Sequence, residues 1–261
     1  MSVFVLGGAF VACSSFSSTG DPVAPTADAA SEASTPDAAI VDGNAPAADA
    51  TADLFPGCPL LVDDAFPANT HDPGWTLAGE AAFGQGALVL TEDVPYKRGG
   101  VWISTSRALP DATALHVRFD LQFEHPDVDG GLPRGDGLSF FWLHDKTFEL
   151  GGADFGECGS GTTTTDGYAF VVASHDLSMS LHDPAACGPG IADTPLSFPV
   201  GQSQPVAIDI TRAKIVAKVA DHQFSSALTN GVKVNTVGFT GITGGYSCRH
   251  TVTNVKIWVC P

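Results

Sequence analysis

The chain has 261 residues, among them 29 Gly, 18 Pro, 12 basic and 29 acidic residues, for a formal net charge of -17. A chain this acidic is repelled by nucleic acid and by anionic lipid headgroups, which excludes both as direct partners. Its length fits one large β domain or two small ones, and so much Gly and Pro favours strands and turns over long helices.

Residues 1–12 (MSVFVLGGAFVA) are apolar, end in a small residue and run into Cys13. A run this short does not span a bilayer, and it fits the apolar part of an export signal. Small residues before a cysteine suit a bacterial lipoprotein cleavage site, with Cys13 as the lipidated residue. The other reading is a plain signal peptide with an incidental cysteine. No Lys or Arg precedes the apolar run, and Phe10 stands where lipoproteins usually carry Leu. Either way the chain is expected to be exported, as a cell-envelope lipoprotein (outer membrane or cell surface) or a secreted protein. It would meet a membrane only through a lipid anchor.

Residues 14–57 hold six Asp, one Glu and no Lys or Arg, a net -7; residues 58–261 carry all the basic residues and a net -10. Ala, Pro, Asp, Ser and Thr dominate the 14–57 stretch. Such a segment buries too little apolar surface to offset the entropy of ordering its backbone, so a disordered, extended linker is expected there.

From Cys58 the texture changes, and 58–261 reads as one folded region. Five cysteines follow Cys13, with no C-x-x-C pair and no His at zinc-site spacing, which argues against a structural zinc. In an exported chain disulfides are the default. Cys58 opens the folded region and Cys260 nearly ends it, so a bridge tying the termini is expected. Cys158 with Cys187 is the second candidate pair, and one thiol is left over.

Strict apolar–polar alternation at 117–123 (VRFDLQF), 206–210 (VAIDI) and, less cleanly, 214–219 (KIVAKV) marks half-buried strands. Residues 138–143, apolar but for Ser139, and the apolar 169–173 are expected to be covered on both faces. Further strands are expected at 87–91, 100–104, 178–182, 237–240 and 253–259, with turns at 126–135 and 241–245. About ten short strands without a helix predict an all-β protein, a two-sheet sandwich or jelly roll.

Four stretches then stand out in order: Phe66…Trp75…ALVLT (87–91), GDGLSFF (135–141), LGGADFG (150–156) and VGFTGITGG (237–245) with His250 and Trp258 after it. Together they resemble the L-type (legume-type, concanavalin A-like) lectin domain, across about 60–261. The resemblance implies a concanavalin A-like jelly-roll β-sandwich of two antiparallel sheets that binds a carbohydrate or glycoconjugate. The family's pocket uses an Asp from the D-G-L-A-F turn, a backbone N–H from the G-G loop and residues of the T-G-G-x loop. By position these are Asp136, the Gly151–Gly152 pair, Gly245 and Tyr246. The chemistry is sound: a carboxylate accepts two sugar hydroxyls, a glycine lets backbone approach a ring, and Tyr246 can stack on a sugar face.

Sugar-binding members also carry a V-E-F-D-T strand whose acids help hold calcium and a transition metal. The corresponding stretch here, GYAFVVASHD (167–176), has lost the Glu to Val or Ala, depending on register. Calcium is the one cofactor the resemblance suggests, and His175, Asp176, His182 and Asp183 at a short hairpin are a partial substitute set at best. No paired-carboxylate strand, G-x-S-x-G elbow or P-loop is present, so a non-enzymatic lectin-like module is expected. Two alternatives stay open: a structural or protein-interaction sandwich with a degenerate sugar site, and a diverged glucanase-like hydrolase with two carboxylates across the concave sheet.

Overall fold

A computed structural model describes residues 54–67, 73–109, 112–124, 135–144, 148–151, 167–183, 190–191, 193–229, 232 and 234–261. Cys13, the rest of the 1–53 stretch, Gly152, Cys158 and Cys187 lie outside them. The described residues form fifteen strands in two antiparallel sheets. Among them no helix is long and apolar enough to cross a membrane.

The seven-stranded sheet orders β10 (Asp193–Pro195), β9 (Ser178–His182), β8 (Gly167–Ala173), β7 (Gly137–Leu143), β14 (Val234–Ile242), β5 (Arg98–Leu109) and β2 (Thr76–Gly79). The eight-stranded sheet orders β13 (His222–Ala227), β12 (Lys214–Val219), β11 (Gln204–Thr211), β6 (Ala114–Glu124), β15 (Arg249–Cys260), β4 (Ala87–Thr91) and β3 (Ala82–Gly84). β1 (Leu60–Asp64) also pairs with β15, placing the start of the domain against its end. This is the two-sheet sandwich expected from the alternation.

Period-two patterning decides what lies between the sheets. Leu115, Val117, Phe119, Leu121 and Phe123 of β6 face Phe140 and Trp142 of β7, Phe170 of β8 and Phe239 of β14 in one core. Phe119 meets Phe239 edge-on at 5.0 Å. Full burial of each such side chain stabilises by about 1.5–3 kcal/mol.

β7 is buried along its whole length because it is covered twice. Its alternate residues Phe141 and Leu143 point away from the main core and pack with Phe148 and Ala169 in a second cluster, flanked by Trp102 and Leu150. Phe141 stacks on Phe148 at 4.2 Å. A third layer, residues 148–151, thus lies over the outer face of the seven-stranded sheet. The run 138–143, apolar but for Ser139, follows from it.

Two expectations need correction. The turn expected at 241–245 starts later, because Gly241 and Ile242 still pair in β14 with Gly99 and Arg98 of β5. β5 is also much longer than the expected 100–104: Arg98 and Gly99 already pair with β14 and Leu109 pairs with it after a register shift, while the sequence 104–107 (STSR) carries no apolar alternation to mark the extension.

Trp75 is buried as a structural residue. Its Nε1–H donates to Asp64 Oδ2 at 3.1 Å, and Asp64 Oδ1 accepts the Phe66 N–H at 2.8 Å. Asp64 is itself buried, so replacing it with Ala strands two donors. Asp64→Ala is expected to cost about 3 kcal/mol in urea unfolding, and Asp64→Asn clearly less, because the amide oxygen still accepts one of them.

Cys58 and Cys260 form a disulfide. Cys248 is a buried free thiol, pushed up to about 12 by burial, with the Asp93 charge acting in the same direction. A thiol held this far from ionisation is a poor nucleophile.

Candidate functional site

Register brings several strand ends together at one end of the seven-stranded sheet. Gly137 of β7 pairs with Ile242 of β14 on one side and Ala173 of β8 on the other. Ile242 in turn pairs with Arg98 of β5. Residues just outside these pairs must therefore meet: Asp136, Ser174–His175, 243–246 and 96–97.

Asp136 sits at the centre. Gly244 N–H donates to its carboxylate. A Cβ built on Gly244 would stand 2.7 Å from Asp136 Oδ1, closer than real Cβ atoms come, so any larger residue here displaces the Asp136 carboxylate. Burial raises the Asp136 carboxyl above its ordinary range, opposed by the charge of His175 and the Gly244 N–H. The Asp136 carbonyl accepts from Ser174 N–H at 3.0 Å and from His175 Nδ1–H at 3.2 Å. Asp136 is half-buried rather than in the core, so only part of the cost of a buried carboxylate arises.

The 243–246 turn is held firmly. Thr243 N–H donates to the Lys97 carbonyl at 2.8 Å, Thr243 Oγ1 to the Val94 carbonyl at 2.7 Å, and Lys97 N–H to Thr243 Oγ1 at 2.8 Å. Tyr96 N–H donates to the Gly244 carbonyl at 2.9 Å. Tyr96 has φ 59°, a left-handed conformation that costs a non-glycine residue about 1–2 kcal/mol. Its ring is 82% exposed, and that of Tyr246 is 60% exposed. Beyond Gly245 the nearest atom to a built Cβ is the Tyr96 hydroxyl at 3.5 Å. A half-buried carboxylate, open backbone at Gly245 and the Tyr96 hydroxyl thus lie together, with the exposed Tyr246 next in the chain.

Sequence reasoning named Asp136, Gly245 and Tyr246, and the structure gathers them. It also adds Tyr96, which no periodicity or motif marked. Of the G-G loop only Gly151 is described: it is buried, and its neighbour Leu150 packs over Gly79 and Gly100 on the same outer face. The four candidate metal ligands do not converge: His182 ends β9, with its Nε2 2.9 Å from Ser180 Oγ. His175 and Asp176 precede β9 and Asp183 follows it, about 15 Å away at the rise of a strand. His175 belongs beside Asp136, and Asp176 instead accepts from Ser178 Oγ at 2.8 Å in the hairpin turn.

The strand that supplies metal-binding acids in the family turns Ala169 and Val171 outward here. Their flanking outward residues are Phe141 and His182, and Ser139 and Ser180. Ser139 Oγ and Thr240 Oγ1 hydrogen-bond each other at 2.6 Å, and Ser180 Oγ contacts His182 Nε2 at 2.9 Å. Asp193 of β10, opposite Ser180 of β9, brings one carboxylate beside Ser180 and His182. A hard divalent cation needs several oxygen ligands, mostly carboxylate, and among the described residues a set with one carboxylate does not fit one. The same positions hold no facing carboxylate pair of the kind a glucanase uses, among the described residues. Elsewhere, Cys58, His116 and Cys260 bring three ligand-type atoms together, but both sulfurs are committed to the disulfide.

No protein-family model matches the chain, and no curated protein matches it in sequence. Solved structures do match. The exoplasmic/lumenal domain of VIP36, metal-free form, aligns with TM-score 0.59 at 14% identity, covering 76% of this chain and 90% of that one. The same VIP36 domain is also known in a Ca2+-bound form. The carbohydrate recognition domain of Emp47p aligns with TM-score 0.61 at 12% identity, covering 77% and 95%. The lectin UEA-II complexed with galactose aligns with TM-score 0.57 at 14% identity, covering 76% and 97%. At such identities the likeness is one of fold, and the described part of this chain is an L-type, legume-lectin-like jelly roll.

Proposed function

We propose that the chain is a non-catalytic carbohydrate-binding module that seats a sugar between Asp136 and the 244–246 turn. The observation that carries this reading is the half-buried Asp136 carboxylate held by Gly244 N–H, with the Tyr96 hydroxyl near Gly245 and the exposed Tyr246 following it in the chain. The carboxylate accepts two hydroxyl protons, exposed backbone at Gly245 allows close approach, and a phenol ring covers an apolar sugar face. The fold supports it too, since neighbours of the same fold include a carbohydrate recognition domain and a lectin complexed with galactose.

The module is exported in this reading. The Cys58–Cys260 disulfide supports an oxidising compartment, and a neighbour of the same fold is an exoplasmic/lumenal domain. Cys13 carries the lipid anchor and residues 14–57 hold the module away from the membrane surface. A second reading, a protein-interaction sandwich with a degenerate sugar site, draws on Ala169 and Val171 standing where ligand acids are expected.

A glycan array separates the two. The wild-type chain is expected to retain a defined set of glycans, and Asp136→Ala and Gly244→Ala to lose them at least 100-fold, with unfolding still cooperative. Retention of no glycan by the wild-type chain, or of the same glycans by Asp136→Ala, favours the degenerate-site reading.

A further inference from the structure

We propose that the buried Ser174–His250 pair positions the Asp136 turn and that the pocket binds sugar without a metal ion. This rests on the carbohydrate reading of Asp136 and adds what holds that residue in place.

The pocket carboxylate needs a rigid support, because a loose first contact loses affinity to ordering entropy. The outward positions of β8 hold Ala169 and Val171, which cannot supply that support through a cation. A chain of buried polar groups lies directly behind the turn instead. Ser174 Oγ donates to the Gly135 carbonyl at 2.6 Å, and Ser174 N–H to the Asp136 carbonyl at 3.0 Å. Ser174 thus grips both peptide units around Asp136.

His250 Nε2 lies 3.4 Å from Ser174 Oγ, and His250 Nδ1 lies 2.8 Å from Thr91 Oγ1. Ser174, His250 and Thr91 are all fully buried. Directions follow from counting protons. The single hydroxyl proton of Ser174 goes to Gly135 at the shortest contact. Thr91 Oγ1 lies 2.8 Å from His250 Nδ1 and 3.2 Å from the Cys248 carbonyl, so its proton has two acceptors in reach. With that proton on the nearer one, His250 donates from Nε2 to Ser174 and its bare Nδ1 accepts from Thr91. The relay Thr91 to His250 to Ser174 to Gly135 runs one way and satisfies both ring nitrogens.

Packing fits the same purpose. A Cβ built on Gly135 would stand 2.6 Å from Cys248 Cβ and 3.4 Å from His250 Cε1. The turn is pressed against β15 with no room to slide. His175 adds a second support, since its Nδ1–H holds the Asp136 carbonyl from the solvent side. The four supports come from side chains and backbone on β4, β15 and the β8–β9 hairpin, none of which requires an ion.

The test uses the full chain and a glycan retained by the wild type on an array, titrated by calorimetry after EDTA treatment and again with added CaCl2 or MnCl2. Affinity is expected to be the same in all three conditions. Ser174→Ala is expected to bind at least 10-fold more weakly, with no rescue by calcium, and Ser174→Thr, which keeps the hydroxyl, to recover most of the loss. Nitrogen-15 NMR of the wild type is expected to give His250 as the Nε2–H tautomer. Affinity lost in EDTA and restored by calcium would overturn the proposal, as would a folded Ser174→Ala that binds like wild type. If the wild type retains no glycan, the carbohydrate reading fails by itself. The support claim is then decided by amide shifts on adding CaCl2: movement at 135–137 overturns it, and its absence together with the Nε2–H tautomer upholds it.

Discussion

Replacing both Cys58 and Cys260 with Ser will lower the unfolding free energy by about 3–5 kcal/mol, the largest single loss expected for this chain. The bridge joins residues 202 positions apart. On the chain-entropy relation, closing a loop of that size removes about 5 kcal/mol of denatured-state entropy, and native bridges typically contribute 2–5. The folded state gives up little else, because Leu60 already pairs with Trp258 and Val259 N–H donates to the Pro59 carbonyl at 3.1 Å. Most of the effect thus lies in the unfolded chain. For a domain of about 200 residues this corresponds to a fall in Tm of roughly 10 °C. Thermal scans of wild type, double mutant and reduced wild type check it. The last two should coincide, and an unchanged Tm on reduction would contradict the assignment.

Acid will destabilise the fold in a way traceable to one residue. Burial pushes the His250 imidazole down to about 3, against an ordinary value of about 6.5. The folded protein therefore keeps His250 neutral where the unfolded chain takes up a proton. Its contribution is complete above pH 6.5 and is lost progressively as pH falls toward 3. Stability should drop by up to about 1.4 kcal/mol per pH unit across that window. Asp136 works in the opposite direction within the carboxylate range, because its carboxyl is raised on folding. Urea unfolding at pH 7, 6, 5 and 4 measures the slope, and His250→Gln, which cannot protonate, should flatten it between pH 6 and 5. An equal slope in the variant would mean that other groups carry the acid sensitivity.

The sandwich was readable from sequence wherever a strand is half-buried or doubly covered. The alternation at 117–123 and 206–210 falls inside β6 and β11, and 87–91 and 178–182 match β4 and β9 in full. β1, β2, β3, β10 and β13 were missed. TLAG and AFG are too short for a period to register, and HQFSSA is an edge strand with one buried apolar residue, Phe224. Edge strands are held by one neighbour's backbone, which leaves little trace in side-chain pattern.

The site divides the same way. Asp136 and Gly245 lie in local motifs, so the resemblance could name them. Tyr96 reaches the pocket only because β5 pairs with β14, bringing Lys97 beside Thr243, 146 residues away. His175 looked like a metal ligand because it neighbours Asp176; its Nε2 does lie 3.5 Å from Asp176 Oδ2, but its Nδ1 reaches the Asp136 carbonyl, 39 residues earlier. The Ser174–His250 contact spans 76 residues and the Thr91–His250 contact 159. Such pairings depend on register, which a single sequence fixes only through the completed fold.

The central claim, that a sugar seats against Asp136 and the 244–246 turn, is tested most directly by mapping amide shifts in the folded chain as an array-selected glycan is titrated in. The expected result is one contiguous set of shifted amides at Tyr96, Asp136, His175 and 243–246, absent in Asp136→Ala. Shifts confined to the outer face of the eight-stranded sheet, or an unchanged map in Asp136→Ala, would contradict it.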